Sequence, residues 1–202
     1  MNRIIFCKVL ISLLVMFNAN AQSTEVVEKK YFVGSTLFIL ANLVNDPEPP
    51  KYYQLNLGYR ITAKDVVSLE LITWNYYEPI GVPYSKKSTA PNYPGRVEAV
   101  GAGFAYKRFL WKRVYVQGHA TFLKQNYLDE SGDKIQSGLQ MFNTVRAGYQ
   151  FRLFKNRFFI EPSMAITFWP VNTNLPETFQ AEENKWNNFF IGEPGLHFGY
   201  NF

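Results

Sequence analysis

Six side chains that can carry charge or move a proton, Glu70, His119, Arg146, Glu161, Glu193 and His197, sit in segments that are otherwise apolar or small. Carboxylates beside imidazoles and a guanidinium can do acid–base or nucleophilic chemistry, pass protons or ions along, or neutralise one another in an interior. His119-Ala120-Thr121, with Glu130 downstream, has the residue types of a histidine-activated hydroxyl. Glu161-Pro162 and Glu193-Pro194 repeat a carboxylate ahead of a proline, but glycoside chemistry would need an open cleft and a tuned acid. Asp129-Glu130-Ser131-Gly132-Asp133 gathers acidic oxygens around a glycine without the spacing or closing glutamate of a calcium loop, and reads as a solvated hairpin tip. Cys7, the only cysteine, belongs to the N-terminal leader, so no thiol or cysteine-based metal site is expected; no cofactor and no metal is assigned.

These residues lie in segments of period-two patterning, expected as strands at 31–41, 51–60, 66–76, 96–107, 113–124, 138–152, 157–168 and 189–202. The connections alternate: short at 61–65, 108–112 and 153–156, long at 42–50, 77–95, 125–137 and 169–188. That is the order of an eight-stranded antiparallel transmembrane β-barrel with short periplasmic turns and four long extracellular loops. All six site residues then fall on the polar parity of their strands and form a mid-barrel belt, with Glu161 expected to pair with Arg146 or His197. Eight strands enclose room for side chains or at most one small ligand, so the belt should fill the lumen as a structural plug. Both prolines of the Glu-Pro pairs should face lipid and mark breaks in the ladder.

Aromatic residues crowd the strand ends: Tyr59, Phe109, Trp111, Phe151, Phe154, Phe158, Tyr200 and Phe202 near the short turns, and Tyr52, Tyr53, Trp74, Tyr76, Phe168, Trp169, Phe189 and Phe190 near the long loops. They are expected as two interfacial girdles. Basic residues Arg60, Lys64, Lys107, Arg108, Lys112, Arg113, Arg152, Lys155 and Arg157 gather at the short turns, where inner-leaflet phosphates would meet them.

The segment 1–21 has a basic start at Arg3 and Lys8, a short apolar core and Ala19-Asn20-Ala21 before Gln22, the form of a signal peptide. A short periplasmic segment, 22–30, and the barrel, 31–202, are expected to follow. Roughly 180 mature residues suit one domain. Aromatics reach 17% while charge stays at 18%, and the mean hydropathy is slightly negative, as when lipid-facing and lumen-facing residues alternate. Without Arg3 and Lys8 the formal charge falls from +5 to +3, a modest surplus that sits in separated turns rather than along one stripe, so nucleic acid is not an expected partner.

The last strand ends Phe198-Gly199-Tyr200-Asn201-Phe202 and resembles the C-terminal strand of bacterial outer-membrane proteins. That resemblance implies that Phe198, Tyr200 and Phe202 form the signal read by the barrel-assembly machinery, with the chain residing in the outer membrane of a Gram-negative bacterium. In architecture the chain resembles the small OmpA, OmpX and OmpW barrels. Their likeness implies a non-enzymatic envelope-structural role, or surface interaction through the loops with an extracellular or envelope protein, in contact with outer-membrane lipid. Two alternatives stay open. One is a narrow transporter for a small hydrophobic or ionic solute. The other is a lipid-modifying enzyme, since His119, Thr121 and Glu130 resemble the His-x-Ser plus Glu arrangement of outer-membrane lipid A deacylases, with Thr in place of Ser.

Overall fold

The computed structural model describes residues 29–45, 47–82 and 95–202. The leader, its cleavage site and most of the 77–95 loop lie outside these residues. Strands β1 (Tyr31–Thr36), β2 (Tyr53–Arg60), β3 (Asp65–Tyr76), β4 (Arg96–Trp111), β5 (Val114–Leu128), β6 (Lys134–Tyr149), β7 (Phe151–Leu153), β8 (Phe158–Asn172) and β9 (Phe189–Asn201) form one antiparallel sheet. β6 and β7 occupy one wall position on either side of Gln150, both against β8, so the sheet closes into a ring of eight strands. The chain ends meet at the β1–β9 seam, where Tyr31 and Phe202 exchange backbone hydrogen bonds of 3.3 and 3.0 Å.

Closure follows from strict alternation. Along β8, Glu161, Ser163, Ala165, Thr167 and Trp169 are buried while Pro162, Met164, Ile166 and Phe168 are exposed. Along β4, Val97, Ala99, Gly103, Lys107 and Phe109 turn inward, and Val100, Phe104 and Leu110 turn out at 55, 69 and 55% exposure. A soluble lipocalin-like barrel would show the opposite parity. Small residues thin the wall: Gly58 receives the Phe32 ring, and a Cβ there would lie 1.8 Å from it.

Two apolar clusters divide the interior by height. Phe32, Val66, Phe109, Tyr115 and Phe159 pack across the barrel near the short turns. Tyr76, Val97, Ala99, Leu123, Tyr127 and Phe179 pack near the other end, against Trp74, Ile80 and Phe142. Phe179 comes from a short helix, α1 (Glu177–Glu183), that lays this ring into the mouth 6.2 Å from Tyr76 and 6.1 Å from Tyr127. Glu183 accepts from the Trp169 indole at 2.9 Å and from Asn172 at 3.2 Å, fastening the loop to β8.

Several expectations change. The first strand stops at Thr36, whose hydroxyl accepts from the Phe38 amide, and residues Leu37–Leu43 form a 3₁₀ helix instead of continuing to residue 41. The expected long connection at 125–137 is a tight tip at residues 129–133, because β5 and β6 carry their alternation onward and the inward Gln125 and Tyr127 find partners above the belt. At that tip Asp129 uses its carboxylate to accept from the Asp133 amide at 2.9 Å. Phe109, Tyr76 and Trp169 are 3, 7 and 2% exposed and belong to the interior rather than to a girdle, since each sits on inward parity. Tyr59, Trp111, Phe154 and Phe202 do lie outside at one end, as do Tyr53, Phe168 and Phe189 toward the other.

Candidate functional site: the barrel lumen

All six belt residues line one interior cavity of about 1090 Å³. The expected belt therefore exists as a set of positions, but its pairings differ from those expected. Glu161 is held by Lys107, whose Nζ donates at 2.6 Å to both carboxylate oxygens, and by the Gln150 amide at 2.7 Å. Neither Arg146 nor His197 forms an ion pair with it. Lys107 was expected at the basic turns; its place on β4, two residues from Phe109 on the same inward face, instead sends its four-carbon stem across the lumen to β8. Its ammonium rests over the Tyr115 ring at 4.6 Å and near the Phe159 ring at 5.9 Å, so the pair is enclosed by aromatic faces. Both side chains are nearly inaccessible, at 8 and 4%.

Below that pair the floor is stitched. Arg60 donates to Asn201 Oδ1 at 3.1 Å, and the Asn201 amide donates to the Asn156 carbonyl at 2.8 Å, tying β2, β9 and the turn 154–157 together. That turn passes through the left-handed region at Phe154, Lys155 and Asn156, with φ of 50, 56 and 63°. The Arg60 and Arg152 guanidiniums lie 6.0 and 5.7 Å from the Phe109 ring, and Arg152 Nε donates to Gln150 at 2.6 Å. These two basic residues thus reach inward from the turns.

Above it, Glu70 on β3 is a second hub. It is met by His119 Nε2 at 2.8 Å, by the Thr121 hydroxyl at 2.8 Å and by the Gln54 amide at 2.6 Å. Thr121 Oγ1 also lies 2.6 Å from the same His119 Nε2. A relay needs the hydroxyl on one ring nitrogen and the carboxylate on the other. Here hydroxyl and carboxylate share Nε2, and Thr121 already donates to Glu70 directly. The geometry holds a carboxylate; it does not draw a proton from a nucleophile. Glu130 lies at the 129–133 tip, remote in sequence height from the hub on the same hairpin.

Arg146 on β6 stands apart from both hubs. Its Nη1 donates to Ser163 Oγ at 3.2 Å and lies 3.3 Å from His197 Nε2, while its buried Nε has no hydrogen-bond partner. Among the described residues no carboxylate forms an ion pair with it. Gly195 makes the room: a Cβ there would come within 2.6 Å of Nη1. Glu193, one residue pair higher on β9, accepts from the Thr167 hydroxyl. Above this level the lining carries an apolar set, Ile72, Trp74, Leu123, Phe142 and Phe190, beside polar side chains such as Tyr52 and Asn75.

The sequence reading missed Lys107, Gln54, Gln150 and Ser163. Parity counted from Val97 or Phe109 would have found Lys107; the others carry no signal beyond inward parity. Pro162 and Pro194 are both exposed on the outer face, as expected. Pro162 leaves the β8–β9 register intact, whereas a register shift immediately precedes Glu193-Pro194 at Gly192, with φ of 82°. Phe198, Tyr200 and Phe202 lie on the outward parity of β9 and its extension, the Phe202 ring 6.2 Å from Tyr31 across the seam.

No family model matches the chain, and no curated protein matches it. Among solved structures the chain is similar to the crystal structure of Neisserial surface protein A, at 13% identity and a TM-score of 0.46, over 85% of this chain and 97% of that one.

Proposed function

We propose that the protein is an integral, non-enzymatic barrel of the Gram-negative outer membrane, with its short turns in the periplasm and its loops outside. The observation that carries this reading is the inverted parity of the whole wall. Phe104, Phe122, Val100 and Ile191 present 69, 58, 55 and 75% of their surface outward, while Glu70, Lys107 and Glu161 are buried inside. Soluble monomers rarely expose apolar patches beyond a few hundred Å². A ring paired around its circumference over most of its height also satisfies most of its backbone in hydrocarbon, where no water can. Outer-membrane lipid is then the immediate partner, the barrel-assembly machinery the agent of insertion, and Phe198, Tyr200 and Phe202 the apolar surface that it would read.

Of the roles open to such a barrel, the floor supports a vessel over a diffusive pore. Aromatic packing, the Lys107–Glu161 pair and the Arg60–Asn201 bond all stand across the short-turn end. The lumen was expected to be filled by side chains throughout; that holds for the floor, and the cavity occupies the space above it. The loop surface around α1 is the place for an extracellular or envelope protein partner. The test is fractionation and electrophoresis: the protein should require detergent for release from membranes and migrate faster before boiling than after. Recovery as a soluble monomer without detergent overturns the reading.

A further inference from the structure

The barrel wall is incomplete on one side. β1 is 6 residues long and pairs with β9 only from Phe32↔Asn201 to Thr36↔His197, yet β9 runs on to Phe189 with β8 still beside it. On the other flank the β1–β2 ladder ends at Gly34↔Asn56 although β2 begins at Tyr53. Residues 189–196 of β9 and 53–55 of β2 thus border an interval that no strand fills. The 3₁₀ helix Leu37–Leu43 stands there instead, with none of its residues buried and with Leu40 and Leu43 at 52 and 80% exposure. It is tied to β2, through Asn42, which donates to the Tyr52 carbonyl at 2.6 Å and accepts from the Tyr52 amide at 2.8 Å.

The height of this interval decides what it faces. Six residues tilted as barrel strands are climb about 15 Å, and the apolar band of an outer-membrane barrel is about 25 Å tall. The opening therefore begins within the band and faces the acyl chains of the outer leaflet. Bare strand edges are costly there, and β9 limits that cost. Thr36 Oγ1 donates to the Leu196 carbonyl at 3.3 Å, so below the register shift at Gly192 the even-numbered residues of β9 turn their backbone groups toward β1. The next one up is Pro194, which has no N–H to leave unpaired.

Inside the opening lie the apolar set of the upper lining and, at its base, Arg146 with no carboxylate and an unbonded Nε. A buried guanidinium with no carboxylate in contact is expensive, and Lys107 shows how this chain neutralises a buried cation, with Glu161 at 2.6 Å. The cavity of about 1090 Å³ is at the upper end of small-molecule sites. We propose that the lumen binds a single-chain anionic amphiphile taken from the outer leaflet through the β9–β2 side opening, its carboxylate or phosphate on Arg146 and its tail against Ile72, Trp74 and Phe142. This rests on the membrane placement proposed above.

The test uses the full-length protein, purified in a mild detergent and then placed in nanodiscs, after heat-modifiable migration has established the folded barrel. Palmitate, lysophosphatidylglycerol and uncharged monopalmitoylglycerol are titrated by native mass spectrometry. One or both anionic probes should bind at one per barrel, on the order of tenfold or more tighter than the uncharged probe; binding of palmitate alone assigns a free carboxylate, and of the lysolipid alone a phosphate. Arg146→Gln should remove that preference and Arg146→Lys should keep part of it. Equal affinity for all three probes in the wild type, or no binding by a correctly folded barrel, overturns the proposal and leaves the membrane reading standing, and the wild-type comparison holds even where Arg146→Gln fails to fold. The route is read with palmitate carrying a photoreactive tail in nanodiscs: adducts at Leu37, Phe38 or Ile191 support the side opening, and adducts confined to α1 overturn it.

Discussion

The two ends of the lumen treat buried charge in opposite ways. Near the short turns Lys107 and Glu161 meet at 2.6 Å under the rings of Tyr115 and Phe159, and Arg60 and Arg152 donate to Asn201 and Gln150 beside them. Midway up, Arg146 has a serine and an imidazole but no carboxylate, and above it the lining carries the apolar set and the wall is interrupted. Charge that is neutralised inside the fold contributes to its uniqueness, whereas charge left for something else marks where the fold can receive it. The lower half is built as a seal and the upper half as a receptacle.

That contrast can be broken most forcefully at Glu161. Glu161→Ala leaves Lys107 buried without its carboxylate and should cost about 3 kcal/mol in urea unfolding from folded micelles, the low end for breaking a buried pair because the cavity above admits water. Glu161→Gln should be milder, since it retains shape and an acceptor. Replacing both Lys107 by Met and Glu161 by Leu should recover most of the loss; a double variant no more stable than Glu161→Ala would mean that the pair is not what closes the floor.

The cap should respond differently from the floor. Phe179→Ala removes the ring that pins α1 in the mouth, so trypsin or chymotrypsin should cut the 173–188 loop on intact cells several-fold faster while the barrel's unfolding midpoint changes less than in Glu161→Ala. In the wild type the same protease should spare the 112–113 turn if that end is periplasmic. Cleavage there would invert the topology.

The smallest effect is expected at the Glu70 hub, where several donors share one carboxylate. Thr121→Val deletes one hydroxyl and leaves His119 and Gln54 in place, so it should cost about 1 kcal/mol. A loss as large as that of Glu161→Ala would make the hub, and not the floor, the anchor of the interior.

Parity made much of this legible in the sequence. Counting by twos puts Glu70, His119, Arg146, Glu161, Glu193 and His197 on the inner face, because in a sheet closed on itself the side of a residue is set by its position along the strand. Partnership is not set in that way. Glu161 meets Lys107 rather than Arg146 because a lysine stem spans the lumen, and which residues face each other across a ring depends on tilt and stagger that period-two patterning does not contain. The end of β1 was illegible for another reason. Leu37 to Ala41 continue as an apolar run that fits a strand, and only the Thr36 cap and the missing β9 partner make it a 3₁₀ helix. The inward turn of Phe109, Tyr76 and Trp169 was readable from the same parity and was hidden by proximity to the strand ends, where girdles are also expected.

One substitution made at two heights tests the division most directly. Lys107→Met and Arg146→Met each replace a buried cation by an apolar chain of similar length, and their unfolding free energies can be compared in the same micelles. Lys107→Met should lower stability by about 3 kcal/mol because it strands Glu161, while Arg146→Met, which strands no carboxylate, should stay within about 1 kcal/mol of wild type. Equal losses at the two positions would contradict the account.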